Sequence, residues 1–451
     1  MSATTASAPQ PIATQEDAPL RSSAVTRAWT PLAASWLVMG LEMPVVSAVM
    51  ARLADPEANL AAYGGVVFPI ALIVEAPIIM LLAASTALGK DWASYRLMHR
   101  FMMVAGGALT LLHAALAFTP LFDGVIVALL GPPPEIVEPA RLGLKIMLPW
   151  TWTIAYRRFH QGLLIRYGRS FHVSIGTALR LLAVVATSIG AATLFGASGI
   201  VAGTAAIAMG VTVEALYAGW STRPVVLGPL RGASPVVPPL TWDAFGSFYL
   251  PLAMTSLLSL LVQPIGSAAI ARMPEALASL AVWPVVGGLL FMLRSLGFAF
   301  NEVVVALLDR PGAYRALVRF TYVLAAVTLG ITALVAFTPI SRLWFSVLSG
   351  LGPELTEVAR IGFAFALVWP PLDVARNLLQ GVVVYGGKTR TIGTSMAVFL
   401  LVSAAMLLAG VVTQRFLALP YAMVSFVVAT AAQVVWLWRG SLPVLRALRE
   451  R

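Results

Sequence analysis

GPPPEIVEPARLG at 131–143 and GLGPELTEVARIG at 350–362 are one segment written twice, sharing 7 of 13 positions without a gap, where chance gives roughly one. The same offset of 219 residues carries Tyr95, Arg96, Arg100 and Phe101 onto Tyr314, Arg315, Arg319 and Phe320. It also carries Phe118, Thr119 and Pro120 onto Phe337, Thr338 and Pro339, and Trp150, Arg157, Gln161 and Gly162 onto Trp369, Arg376, Gln380 and Gly381. An offset of 220 pairs Pro31, Pro44 and Arg52 with Pro251, Pro264 and Arg272. The chain is a tandem duplication, so whatever fold one copy has is built twice.

The composition says what that fold is. Of 451 residues, 59% are hydrophobic and 11% charged, against about 45–50% and about 25% in soluble globular proteins. Apolar runs recur along nearly the whole length: between Val66 and Leu88 the one charge is Glu75, and Ile392 to Val412 carries none. Such runs suffice to cross a bilayer, which takes about 20 helical residues. They predict twelve transmembrane helices near 29–50, 62–88, 101–119, 141–165, 173–196, 199–220, 244–271, 278–308, 318–338, 355–385, 391–413 and 416–438. The expected protein is an all-α membrane protein of two six-helix repeats, 29–220 and 244–438, around a central cleft. An even number of helices per copy makes the repeats parallel, related by an axis along the membrane normal. The segment 221–243, with five prolines, reads as a linker. Residues 1–28 read as a disordered tail and 439–451 as a basic one.

Orientation follows from loop charge. The tails and the connections after even-numbered helices hold most of the Lys and Arg, among them Lys90, Arg96, Arg100, Arg166, Arg169, Arg310, Arg315, Lys388 and Arg390. By the positive-inside rule both termini are cytoplasmic, in the cell membrane. This scatter also excludes nucleic acid as the partner behind the formal charge of +11. There are no cysteines, so thiol chemistry and disulfides are excluded. The four histidines lack metal-ligand spacing, and GVVVYGGKTR at 381–390 fails as a phosphate loop because its first Gly is one residue too far from Lys388. No metal and no cofactor are expected, and the partners are the lipid bilayer, a small-molecule substrate and a coupling ion.

Charges inside apolar helices need a reason, because one near the bilayer centre costs at least about 2.5–3.5 kcal/mol. Glu42 in LVMGLEMPVV could bind a coupling proton or sodium ion, or pair with a neighbouring helix. Glu75 and Arg294 occupy equivalent positions, so they could meet across the axis as a gate; two separate pairings within each half are the alternative. Arg157 and Arg376 are equivalent too, and Asp373 sits three residues before Arg376, on the same helical face. Asp373 joins Glu42 as an ion-coupling candidate. With Lys145, Arg158 and Arg180, the first half offers a cationic lining suited to an anion; Arg157, Arg376, Lys145 and Arg180 are the substrate-binding candidates. Arg158 could instead be an anchor snorkelling to the headgroups. Prolines 44, 69, 77, 149, 264, 284, 370 and 371 permit kinks.

Duplicated six-helix units whose fourth and tenth helices end in HQGLLIRYGRS and LQGVVVYGGKT resemble the superfamily of multidrug and toxic-compound extruders, oligosaccharide-lipid flippases and ankylosis-type transporters. LAAYG at 60–64, LPWTW at 148–152 and HQGLLIRYGRSF at 160–171 look most like the ankylosis branch, which is associated with export of polyvalent anions such as pyrophosphate, citrate or nucleotides. In the extruders an acidic residue of the first helix serves cation coupling, and Glu42 is the residue that corresponds. The resemblance implies a secondary active transporter exporting an organic or phosphate-containing anion by alternating access, and not an enzyme. A multidrug cation antiporter or lipid-linked glycan flippase of the same fold is the first rival, and a membrane-embedded enzyme the second.

Overall fold

The computed structural model describes Leu20, residues 22–388 and residues 390–449. Among them the chain is helical throughout, with no strand. In chain order the rods are α1 (Ser22–Met50), α2 (Pro56–Glu75, continued by Leu81–Leu88), α3 (Trp92–Phe118), α4 (Pro134–Ile146 and Leu148–Arg166), α5 (Ser170–Leu194) and α6 (Gly199–Leu227). The second copy repeats them as α7 (Trp242–Ile270), α8 (Ala276–Leu307), α9 (Ala313–Phe337), α10 (Pro353–Phe365 and Trp369–Tyr385), α11 (Arg390–Thr413) and α12 (Ala418–Arg449). Ten of these are long and apolar enough to cross a membrane, and the two pieces of α10, bent by 41°, make an eleventh. The protein is thus an all-α membrane protein. Its α4, the counterpart of α10, falls short of that measure because it carries more charge, with Glu135, Glu138, Arg141, Lys145, Arg157, Arg158 and Arg166, and has His160 where α10 has Leu379. Most of its Leu148–Arg166 piece is instead buried, packed on α2, α3 and α6.

Prolines set the breaks. Pro44 and Pro264, at equivalent positions, lack the N–H that would bond the carbonyl four residues back. The α1 helix turns at Leu41 and α7 at Leu261, each resuming at once. In α2 a π-helical turn, Tyr63–Val67, precedes Pro69. It brings Gly64 so close to α8 that a Cβ there would lie 2.4 Å from Pro284 Cδ. No side chain fits at that crossing.

Each copy is strapped to the other by its own first helix. Trp29 of α1 donates its indole N–H to Leu296 O of α8 at 2.9 Å, and Tyr249 of α7 donates its hydroxyl to Pro77 O in α2 at 2.6 Å. These pairs are equivalent under the duplication, as are the edge-on contacts of Trp29 with Phe320 and Tyr249 with Phe101. Ser22–Gly40 of α1 therefore packs on the second copy and Trp242–Leu260 of α7 on the first.

Three segments differ from expectation. Of the expected tail, residues 1–19 and 21 lie outside the described residues, while Ser22–Ala28 is the start of α1. The Leu20 N–H bonds Pro311 O at 3.0 Å, and Leu20 and Val25 are buried among α8 and α9 side chains, which order the segment. Helix α6 runs to Leu227, into the expected linker, with Pro224 inside it. The second basic tail, as far as Arg449, continues α12, where Val444 packs on Gly386 and Thr391 on Gly440. Residues 450–451 lie outside the described residues.

The loop between α2 and α3 is tied to the linker by one carboxylate. Asp91 caps α3, accepting the Ser94 N–H at 2.8 Å, and its other oxygen accepts the Val236 N–H at 2.8 Å. Burial alone would raise this carboxyl, but the hydrogen bonds outweigh it and hold it below its ordinary value. A depressed folded pKa contributes stability above the unfolded value of about 3.9, lost as pH falls through the folded one. Asp91→Ala should cost about 1–2 kcal/mol at pH 7, as for a lost N-cap. In detergent, the difference in thermal midpoint from the parent should shrink as the pH is taken below about 4.

Candidate functional site

Two clusters of charge sit within the helices, one in each copy. In the first, Glu214 of α6 is the hub. Arg157 of α4 donates to its Oε2 at 2.5 Å, Gln161, one turn on, to its Oε1 at 2.9 Å, and the Thr177 hydroxyl of α5 to Oε1 at 3.4 Å. Spacings of four residues on α4 and three on α5, from Thr177 to Arg180, turn both pairs towards α6. Arg180 adds Nη1 at 3.5 Å from Glu214 Oε2, while its Nε and Nη2 fork onto Glu42 of α1 at 2.9 and 2.5 Å. The bidentate geometry is the strong form of the carboxylate–guanidinium pair. Beneath it Trp150 lies 5.7 Å from the Arg180 guanidinium and donates its indole N–H to Glu75 Oε2 at 2.8 Å.

In the second cluster Asp373 of α10 is the hub. Arg294 of α8 donates its Nε–H to Oδ2, and Arg376 Nε lies 2.9 Å from Oδ1. Arg294 also rests 4.1 Å over the Trp369 ring, a cation–π contact strengthened by desolvation. No ion pair or hydrogen bond joins the two clusters among the described residues.

The candidates fall out as follows. Arg157 and Arg376 lie in different clusters, each engaged by an acid. Arg180 and Glu42 are each other's principal partners. Asp373 holds two arginines. Glu75 and Arg294 are not brought together: a partner within its own copy meets each, Trp150 for Glu75 and Asp373 for Arg294. Lys145, on the Pro134–Ile146 piece of α4, lies 5.5 Å from the Phe118 ring, outside both clusters. Arg158 has no hydrogen-bonding partner for its buried Nε, and its electrostatic neighbours are Arg157, Glu75, Glu214 and Arg180.

Sequence reasoning missed Glu214. Two signals were present: it is the lone acid of an apolar helix, and an offset of 219 carries it onto a polar residue, Gln433. Gln433 is buried too, donating to Ser395 Oγ at 3.3 Å.

The acids are sealed more fully than the cations. The side chains of Glu214 and Asp373 are 1% and 0% exposed, whereas those of Arg180, Arg294 and Arg376 are 13%, 20% and 17% exposed; Glu42, at 14%, is the exception. Carboxylates here anchor guanidiniums from behind, and the open faces are chiefly cationic.

No family model matches the sequence, and comparison with curated proteins finds no match. Solved structures do match. A multidrug resistance MATE family transporter of the MOP superfamily, in its inward-facing conformation, superimposes with a TM-score of 0.74 at 14% identity, covering 96% of this chain and 99% of that one. The two share one fold. The lipid II flippase MurJ, in an inward closed conformation, gives 0.69 at 14% identity over 93% of this chain and 91% of its own. A MOP superfamily transporter from Pyrococcus furiosus, described as having a binding pocket of reversed polarity, gives 0.60 at 14% identity over 96% and 100%.

Removing one partner from a buried ion pair is costly, about 3–5 kcal/mol. Glu214→Gln should lower stability by that amount, and a double variant with Arg157→Gln should lose less than the sum, with a coupling of at least about 1 kcal/mol. A Glu75/Arg294 cycle should couple by less than about 0.5 kcal/mol in the same denaturation assay.

Proposed function

We propose that this chain is a secondary transporter that carries an organic or phosphate-containing anion across the cell membrane by alternating access, outward from the cytoplasm. The observation that carries this reading is the polarity of the clusters. Five arginines (157, 158, 180, 294 and 376) meet four carboxylates (Glu42, Glu75, Glu214 and Asp373), and the arginines hold most of the open surface. A carrier of cationic drugs needs the opposite balance. That one protein of this fold is described as having a pocket of reversed polarity supports treating pocket charge as a guide to cargo. The likeness of LAAYG and HQGLLIRYGRSF to ankylosis-type transporters points the same way.

In this account Arg158, whose buried Nε has no hydrogen-bond partner, and Arg376, sharing its acid with Arg294, are the first groups to receive the anion. Guanidinium suits the task because its planar fork grips carboxylate or phosphate oxygens in pairs. Glu42 couples the ion: a proton on its carboxyl would remove the charge that holds Arg180, freeing that guanidinium for cargo. Protonation and anion occupancy then favour one another. The superposition with an inward-facing structure at 0.74, against 0.64 for an outward-facing one at 15% identity over 95% of this chain and 96% of that chain, supports a resting state closed at the outer end. A flippase for a lipid-linked anion is the second reading, favoured by the likeness to MurJ.

Proteoliposomes loaded in turn with citrate, pyrophosphate, ATP and a cationic dye distinguish these. At least one anion should move and the dye should not. Arg376→Gln should cut uptake efficiency about tenfold, the worth of one charge-assisted hydrogen bond, and Arg376→Lys less. Dye transport without anion transport would overturn the reading, and movement of a lipid-linked anion alone would favour the flippase. Orientation has its own test: Ser234→Cys in this cysteine-free chain should resist an impermeant maleimide added to intact cells.

A further inference from the structure

At the outer end, where the connections are poor in Lys and Arg, two arginines reach across from one copy to the other. Arg52, just beyond α1, bonds Ala48 O of its own helix at 2.6 Å and then Val347 O and Leu348 O of the second copy at 2.6 and 3.0 Å. Arg272, just beyond α7, bonds Ala268 O at 2.7 Å and then Leu130 O and Leu129 O of the first copy at 2.6 and 2.8 Å. The carbonyls on the far side end short helices, Leu343–Leu348 and Ala128–Leu130. They are the orphan acceptors at the negative end of the helix dipole, where a cation is stabilised. Immediately or one residue beyond stand Gly350 and Gly131, with φ of +74° and +60°. A Cβ at Gly350 would lie 2.7 Å from Arg52 Nη1, and one at Gly131 would lie 3.0 Å from the Arg272 guanidinium carbon. Thus the twice-written segment at 131–143 and 350–362 opens, in both copies, on the glycine that admits the other copy's arginine.

We propose that Arg52 and Arg272 form a reciprocal latch that holds the outer end of the two repeats shut and must release before that end opens. The outer piece of α1 packs on its own copy, where a Cβ on Gly203 of α6 would meet Met50, and on the other copy, where a Cβ on Gly288 of α8 would meet Pro44; that of α7 packs on its own copy, where a Cβ on Gly266 would meet Phe426 of α12, and on α2 of the first copy. The arginines at their tips add bonds from one copy to the other at the end of that shared packing. Both are exposed on one side, so water replaces each carbonyl as it leaves. The acceptors are backbone carbonyls, and nothing in the latch titrates near neutral pH. The latch rests on the two-ended cycle proposed above and on no particular cargo.

Leu280, near the outer end of α8, is 1% exposed and packs on Gly65 of α2, so a cysteine there reports separation of the copies at that end. In purified protein, alkylation of Leu280→Cys by a maleimide should run about tenfold faster with Arg52→Gln or Arg272→Gln, about 1.4 kcal/mol per latch, and faster still with both. Arg→Lys variants should fall between. Val304→Cys, buried at the inner end of α8, should keep its rate. Rates at Leu280→Cys within twofold of the parent in every variant, or an equal rise at Val304→Cys, would overturn the latch. If the double variant is not recovered folded, the single ones decide. Because no cargo enters the assay, its failure leaves the anion reading standing and the reverse also holds.

Discussion

A guanidinium inside a bilayer has to be met by oxygen or by an aromatic face, because lipid supplies neither and the charge stays on at any relevant pH. Much of this protein's architecture is a set of answers to that demand. Arg157 and Arg180 are met by Glu214 and Glu42, Arg294 and Arg376 by Asp373 and the rings of Trp369 and Phe298. Arg52 and Arg272, at the margin, are met by helix-end carbonyls. The α4 helix cannot face lipid with Arg157, Arg158 and Gln161 along it, so α2, α3 and α6 enclose it. Of the helices that carry the charges, α2, α6 and α8 are mostly buried, whereas only a minority of residues in α1 and α5, which bring Glu42 and Arg180, are buried.

The duplication supplies the frame, and the charge clusters depart from it. Straps and latches obey the symmetry: Trp29 matches Tyr249, Pro77 matches Leu296, and Arg52 matches Arg272. The charge clusters break it. Trp150 donates to Glu75, but in the second copy the equivalent Trp369 lies under Arg294, the residue equivalent to Glu75. An acid beside an indole has become a cation upon one. Glu214 has become Gln433, and the second copy's carboxylate stands instead at Asp373, whose counterpart is Ile154. On the proposed function, a latch needs two equal copies to close one end evenly, whereas a cargo without twofold symmetry is better gripped by unlike ones.

What could be read from the sequence was depth and repetition. Runs of apolar residues give the number and order of helices, and a constant offset places Arg157 and Arg376 at the same level without knowledge of any neighbour. Partners were not legible, because hydropathy fixes how far along a helix a residue lies and not which helix its side chain meets. Arg157 has no acid at helical spacing on α4, and its carboxylate comes from α6, 57 residues away. Equal depth also invited the pairing of Glu75 with Arg294, which the rotation of α2 and α8 disallows by giving each a nearer partner. Helix ends failed for a local reason: Leu20, Val25 and Val444 are apolar anchors too sparse to register as a run, yet sufficient to extend α1 and α12.

One helix connects the two kinds of device. Glu42 and Arg52 lie ten residues apart, about 15 Å along the outer piece of α1 at 1.5 Å per residue. This piece turns against the rest of α1 at Leu41, where Pro44 has removed a backbone bond. If the Glu42 carboxyl releases Arg180, the tie between α1 and α5 goes, and the outer piece is left with its packing on α6 and α8 and its arginine on the second copy. A short rigid rod with a hinge at one end and a latch at the other converts a change of charge at the hinge into a change of load at the latch. The second copy has the hinge, at Leu261 and Pro264, and the latch, but Val262 where the acid would stand. Its rod can follow and cannot initiate. On the proposed cycle, charge release within the first copy alone would set the order in which the outer end lets go.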